Sequence, residues 1–162
     1  LKLDLRQGIV LFIVALLFLG CAKIQKPSKT LEELLVELGA SKQEASLISQ
    51  NAYMQTKILK TKYGVNLHPI LHNTLVNLGL KSRGLCWHYA HDLYDALAPL
   101  VVNLDAVIVV ANLGSWLREH SALVLTCKGC EIDKGVVLDA WRDKDSLIYM
   151  PVKQDVYSWR RR

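Results

Sequence analysis

The chain has 162 residues, of which 51% are hydrophobic and 22% charged, and its formal net charge is +5. That length suits one domain with a real core, and that balance excludes global disorder. The charge is mild, and part of it sits in Arg160-Arg161-Arg162. No helical segment carries a basic stripe with interleaved aromatics, so nucleic acid is not an expected partner. The arginine tail is expected to lie solvated.

At the amino terminus, Lys2 and Arg6 precede an apolar run from Ile9 to Leu19, followed by Gly20-Cys21-Ala22. The run has signal-peptide length and falls short of the ~20 residues that a spanning helix needs. Phe18-Leu19-Gly20-Cys21 resembles the lipobox of bacterial lipoproteins. That resemblance implies a signal peptide over residues 1–20, a diacylglycerol on Cys21 and a tether over residues 21–29. The domain proper is then residues 30–162. The membrane becomes a partner through the N-terminal lipid, and the expected location is the bacterial cell envelope. Ala22, rather than Asp, after the cysteine implies the outer membrane with the domain facing the periplasm. The alternative is an uncleaved anchor.

With Cys21 assigned to lipid, Cys127-Lys128-Gly129-Cys130 brings two thiols close enough to bridge in an oxidising compartment. Cys86 is left over. It is either a thiol that is used or a buried small hydrophobe. A lone CxxC lacks the two further ligands of a zinc site, and no metal or other cofactor is expected.

Along the rest of the chain, Thr30-x-x-Glu33 is a capping box before Leu31, Leu34, Leu35 and Leu38, and Gly39 suits the helix end. Ser41-x-x-Glu44 repeats the signal, and the helix it opens should run from Lys42 to Tyr63 and stop at Gly64. A third helix is expected over Pro69 to Leu78, with Leu71, Leu75 and Leu78 facing inward and Gly79 as its stop. The fourth starts at Cys86 and is ended by Pro99, with Cys86, Ala90, Leu93, Tyr94 and Leu97 on its buried stripe. The pattern then changes to short β-branched runs. Strands are expected over Ala106 to Ala111, His120 to Cys127, Gly135 to Trp141 and Leu147 to Val152. N-terminal helices followed by an antiparallel sheet define an α+β fold. No repeat, low-complexity tract or phosphate loop is present.

The fourth helix places a cysteine at its first turn, where unpaired N–H groups and a partial positive charge stabilise a thiolate. Side chains alternate along strands, so His120 shares a face with Ala122, Val124 and Thr126, and Asp139 shares a face with Val137 and Trp141. If Cys127 pairs across from Cys130, His120 sits opposite Val137 and diagonal to Asp139, within side-chain reach. The helix that carries Cys86 must cover one face of that sheet. Thiol, imidazole and carboxylate are what nucleophilic cysteine chemistry needs: the histidine takes the thiol proton or holds it as an ion pair, and the carboxylate fixes the imidazole tautomer and stabilises its charge. The competing roles are a strand histidine satisfied by Glu119 or Ser121, and an Asp139 that pairs with Arg142 or Lys144.

Gly84-x-Cys86-x-x-x-Ala90, Glu119-His120-x-Ala122 and Val137-Leu138-Asp139-Ala140-Trp141 resemble the three blocks of the transglutaminase-like superfamily, a branch of the papain-like fold. The resemblance spans about residues 66 to 152. The whole pattern is similar to a group of uncharacterised bacterial lipoproteins, Asn73 and Arg83 included. It implies Cys86 as nucleophile, His120 as base and Asp139 as orienter, acting on an amide by hydrolysis or by transfer to an amine. A peptide or peptidoglycan-type amide is the expected substrate class.

Four further histidines have alternative roles. His68 and His72 straddle Pro69 at a helix start, while His88 and His91 are expected on an outer face with an Asp four residues on, as salt-paired surface residues rather than metal ligands. Asn73 offers a hydrogen bond toward the active-site loop or a solvated face. Trp87 and Trp141 line a cleft or pack the core, and Trp116 stands where a lid residue would. The reading from another class is an envelope binding or assembly lipoprotein that keeps the fold without the chemistry. It requires a fully buried Cys86 and no cleft opening to His120.

Overall fold

The computed structural model describes residues 28–64, 68–115 and 118–162. Cys21, the signal segment, most of the tether and Trp116 lie outside the described residues. Among the described residues, four helices precede a five-stranded antiparallel sheet: α1 Leu31–Glu37, α2 Lys42–Tyr63, α3 Pro69–Asn77 and α4 Cys86–Leu97, then β1 Leu104–Ala111, β2 His120–Cys127, β3 Val136–Asp139, β4 Ile148–Pro151 and β5 Arg160–Arg161. The sheet order is β4-β3-β2-β1-β5. The fold is α+β. No helix among the described residues is long and apolar enough to cross a membrane.

Local signals set the helix starts. Thr30 and Glu33 form the reciprocal capping box, with the Thr30 N–H donating to Glu33 Oε2 at 2.7 Å and the Glu33 N–H donating to Thr30 Oγ1 at 3.2 Å. The second box is only half made. Ser41 Oγ accepts from the Glu44 N–H, but the Glu44 carboxylate instead takes the N–H groups of Val102 and Asn103 and the Asn103 side chain, at 2.7 to 2.9 Å. Glu44 is thereby buried and ties α2 to the start of β1.

Each face of the sheet has its own core. Leu123, Leu125, Val136 and Leu138 meet the buried faces of α1, α2 and α4. Val109, Ala122, Val124 and Val137 point the other way and are covered by Val152, Ile132 and Trp159. Strand β2 is therefore buried from His120 to Thr126, because layers cover it on both sides.

Four expectations need correction. Leu71 and Leu78 on α3 are 50% and 67% exposed; Pro69 and His72 are the buried residues of that helix. An apolar stripe fixes which side chains share a face but not whether anything covers it. The β2–β3 register is displaced by four residues: Val124, not His120, lies across from Val137. The disulfide Cys127–Cys130 closes one turn, and a 3-10 turn over Ile132–Lys134 lengthens the connection. An even displacement leaves the facing of every side chain unchanged, so Asp139 still shares the His120 face, across from Ala122 when the ladder is extended. Strand β3 stops at Asp139 instead of Trp141, because Asp139 Oδ1 accepts the N–H groups of Trp141 and Arg142 at 3.0 and 3.1 Å and turns the chain. The arginine tail is not simply solvated. Arg160 and Arg161 pair with Val110 and Val109 of β1, and Arg162 reaches Ser121 Oγ and Glu119 Oε1 at 2.8 and 3.2 Å.

Candidate active site

The turn before α4 is built around two buried histidines. His72 Nε2 meets the Arg83 carbonyl at 3.0 Å. His88 Nδ1 accepts the N–H groups of Gly84 and Leu85 at 3.2 and 3.1 Å, which caps α4. Leu85 at the N-cap has no side-chain acceptor, so His88 does from the third helical position what a capping-box glutamate does elsewhere. Burial, then the nearby Arg83 charge, lowers the His88 pKa, which keeps Nδ1 free to accept. His88 is expected on an outer face and is buried instead; both histidines are scaffolding. His91 alone of the helix pair is exposed, and Asp92 pairs with Arg83, Lys62 and the Tyr63 hydroxyl rather than with His88. Among the described residues, no group of three or more His, Cys, Asp or Glu side chains is arranged to hold a metal ion.

Gly84 has φ +122°, and a Cβ there would lie 2.2 Å from His72 Nε2. Both the backbone conformation and the close approach require glycine. Gly84→Ala is expected to cost more than ~1 kcal/mol, because the turn must move off His72. Urea denaturation reads the cost, and an unchanged midpoint with an unchanged slope would remove this account of the turn.

Cys86 is the first residue of α4 and is 8% exposed. Its thiol donates to the Glu119 carbonyl at 3.8 Å, and it adjoins the His120 imidazole closely enough to act on that ring's charge. Helix α4 covers one face of the sheet, the one that holds Leu123 and Leu125 and not the His120 face, and the sulfur reaches His120 around the end where β2 begins. His120 is 2% exposed. Its Nε2 lies 2.5 Å from Asp139 Oδ2, while Nδ1 is buried without a hydrogen-bond partner among the described residues. Glu119 and Ser121, its suggested alternative partners, are engaged by Arg162.

Charge and burial compete at this pair. Burial opposes the imidazolium, but the Asp139 carboxylate and the Cys86 sulfur outweigh it and raise the His120 pKa to about 9. Burial also opposes ionisation of Asp139, yet the His120 charge, Arg142 and backbone N–H groups hold it well below the usual carboxylate range. Asp139 therefore bonds both His120 and Arg142, since Arg142 Nε also donates to Oδ2 at 3.0 Å. Lys144 pairs with Asp145 instead.

An open cleft of about 860 Å³ leads to the sulfur and the imidazole, with α3 on one side and the turn at Asn112–Ser115 on another. Trp87 lines it and is 43% exposed; Trp141 lines it and also packs against the helical core. Asn73 Oδ1 accepts Trp141 Nε1–H at 3.0 Å, so α3 holds the floor of the cleft. Lys60, buried on α2, donates to the carbonyls of Ala140 (2.8 Å) and Asp143 and anchors the segment after Asp139. Burial lowers its pKa.

The sequence reading missed Asp155, Tyr157 and Trp159. Tyr157 and Trp159 stack on His120 with centroids 4.8 and 5.5 Å away, and Trp141 does so at 4.9 Å. The signal was present: Asp155, Tyr157 and Trp159 alternate with exposed Val156 and Ser158, the period of an extended segment laid on a surface. No protein-family model, curated protein or solved structure matches the chain. Residue chemistry and geometry carry the functional reading.

Proposed function

We propose that this protein is a transglutaminase-like cysteine hydrolase or acyltransferase, carried as a lipoprotein of the bacterial envelope and acting on a peptide or peptidoglycan-type amide. One observation carries the reading. A thiol at a helix start and an imidazole line one open cleft, and a carboxylate from a third element is buried behind the imidazole and bonded to it. The imidazole engages its carboxylate through Nε2, which leaves Nδ1 as the nitrogen that takes the thiol proton. With a pKa raised to about 9, the ring holds that proton at neutral pH as an imidazolium beside the sulfur. The envelope location rests on the N-terminal pattern alone.

The chemistry follows from those contacts. The Cys86 thiol gives its proton to His120 Nδ1, and the sulfur bonds to the acyl carbon of the amide. The oxyanion that forms faces the unpaired N–H groups of the first turn of α4, Cys86 included. The C–N bond then breaks, and the leaving amine takes the proton back from Nδ1. Water completes hydrolysis, or a second amine completes transfer. Exposed Ile70, Trp87 and Val156 at the cleft wall suit an amide flanked by apolar groups.

The test is a thiol-directed electrophile such as iodoacetamide, followed on the Cys86 peptide by mass spectrometry. Rapid labelling of the native protein at neutral pH is expected, with none at that position in Cys86→Ala. A folded native protein that leaves Cys86 unlabelled for hours would point instead to a non-catalytic envelope protein on the same fold.

A further inference from the structure

Two more buried charges close a ring around His120. Arg142 Nε bonds Asp139 Oδ2 at 3.0 Å, while its two terminal nitrogens each reach a different Asp155 oxygen at 2.8 Å. Asp155 Oδ2 also accepts Trp159 Nε1–H at 3.0 Å, and the Trp159 ring returns to His120. The Arg142 guanidinium lies 4.9 Å above the Tyr157 ring, which itself stacks on His120. The Arg142 and Asp155 side chains are 10% and 0% exposed.

We infer that Arg142 and Asp155 are positioning residues, which lock the Asp139 carboxylate onto His120 Nε2 and so reserve Nδ1 for the Cys86 thiol. This rests on reading His120 as the base for Cys86. Asp139 Oδ1 is held by two backbone N–H groups and Oδ2 by Arg142; the carboxylate cannot rotate away from the imidazole without breaking three hydrogen bonds. Asp155 has a separate effect. Its charge offsets Arg142, so Asp139 keeps enough negative potential to favour the His120 proton. The charges in the cluster alternate from His120 through Asp139 and Arg142 to Asp155. The other titratable groups near the ring are Cys86 from α4, Lys60 from α2, Tyr157 from the covering segment, and Glu119, which is paired with Arg162.

Imidazole NMR on the folded protein reads both effects without a substrate. In Asp155→Asn, which keeps the side-chain shape, the cluster loses one negative charge. His120 is expected to bind its proton about tenfold more weakly, with the titration midpoint shifted to lower pH. In Arg142→Lys, an ammonium cannot bridge both carboxylates as the planar guanidinium does. The neutral ring is expected to pass from a single Nε2–H tautomer to a mixture, seen in its nitrogen shifts, and the iodoacetamide rate at Cys86 to fall about tenfold. Folded variants that both keep the native midpoint and the single tautomer overturn the inference. Histidine readouts that move as stated while native Cys86 is inert leave the positioning role standing and remove the enzymatic reading.

Discussion

His120→Ala is expected to slow alkylation of Cys86 at neutral pH by roughly a hundredfold or more, the scale on which a positioned acid–base group contributes. The thiolate, not the thiol, attacks an electrophile. In the native protein the proton has an acceptor at hand in Nδ1, and the resulting imidazolium sits between Asp139 and the sulfur. Without the ring, the thiol proton has no imidazole to accept it in a site where Cys86 is 8% exposed. The remaining stabilisation is the first turn of α4, which the substitution leaves in place. His120→Ala that folds and reacts within threefold of native would remove the base role. Cys86→Ala supplies the zero of the measurement, since the Cys127–Cys130 disulfide leaves Cys86 as the free thiol among the described residues.

The second large effect is on stability. Asp139→Ala is expected to cost roughly 3–5 kcal/mol, the range for removing one partner of a buried ion pair. His120 and Arg142 would each lose a buried counter-charge, and the N–H groups of Trp141 and Arg142 would lose their acceptor. Asp139→Asn keeps an acceptor and is expected to cost less. Urea denaturation at neutral pH separates the two, and equal costs would show that charge is irrelevant at this position.

The same pair gives a pH dependence. The His120 pKa is raised from an ordinary 6.5 to about 9, so its contribution is fully present below pH 6.5 and is lost as pH rises through about 9. The Asp139 pKa is lowered, so its contribution is present above the ordinary carboxylate range and is lost as pH falls below it. Native stability should therefore decline between neutral pH and pH 9 or 10, and the decline should vanish in His120→Ala. A decline of the same size in that variant would assign it to other groups.

Much of this was legible from the residues in order. The capping box at Thr30 and Glu33, the change from 3.6-residue to β-branched patterning after Pro99, and the helix start at Cys86 are local signals. They act through hydrogen bonds and side-chain spacing within a few positions, so the chain alone carries them. The shared facing of His120 and Asp139 was also legible despite a wrong register, since a displacement of four residues preserves the alternation. The CxxC spacing marked the turn that the disulfide closes.

What the amino-acid order could not decide was which surface covers which. Leu71 and Leu78 look like part of a core stripe and stand in solvent, because periodicity ranks the faces of a helix without naming a neighbour. His88 looks like a surface residue and is buried beside His72, because their partners are backbone groups of the Gly84 turn rather than side chains that a motif records. Arg142 and Asp155 look like an ordinary polar pair thirteen residues apart, and the fold sets them against the carboxylate of Asp139. Packing that segment over His120 brings four charges into one buried cluster, where each is held by the next. That mutual dependence exists only in three dimensions, since no single member is stable in a buried site without its neighbours.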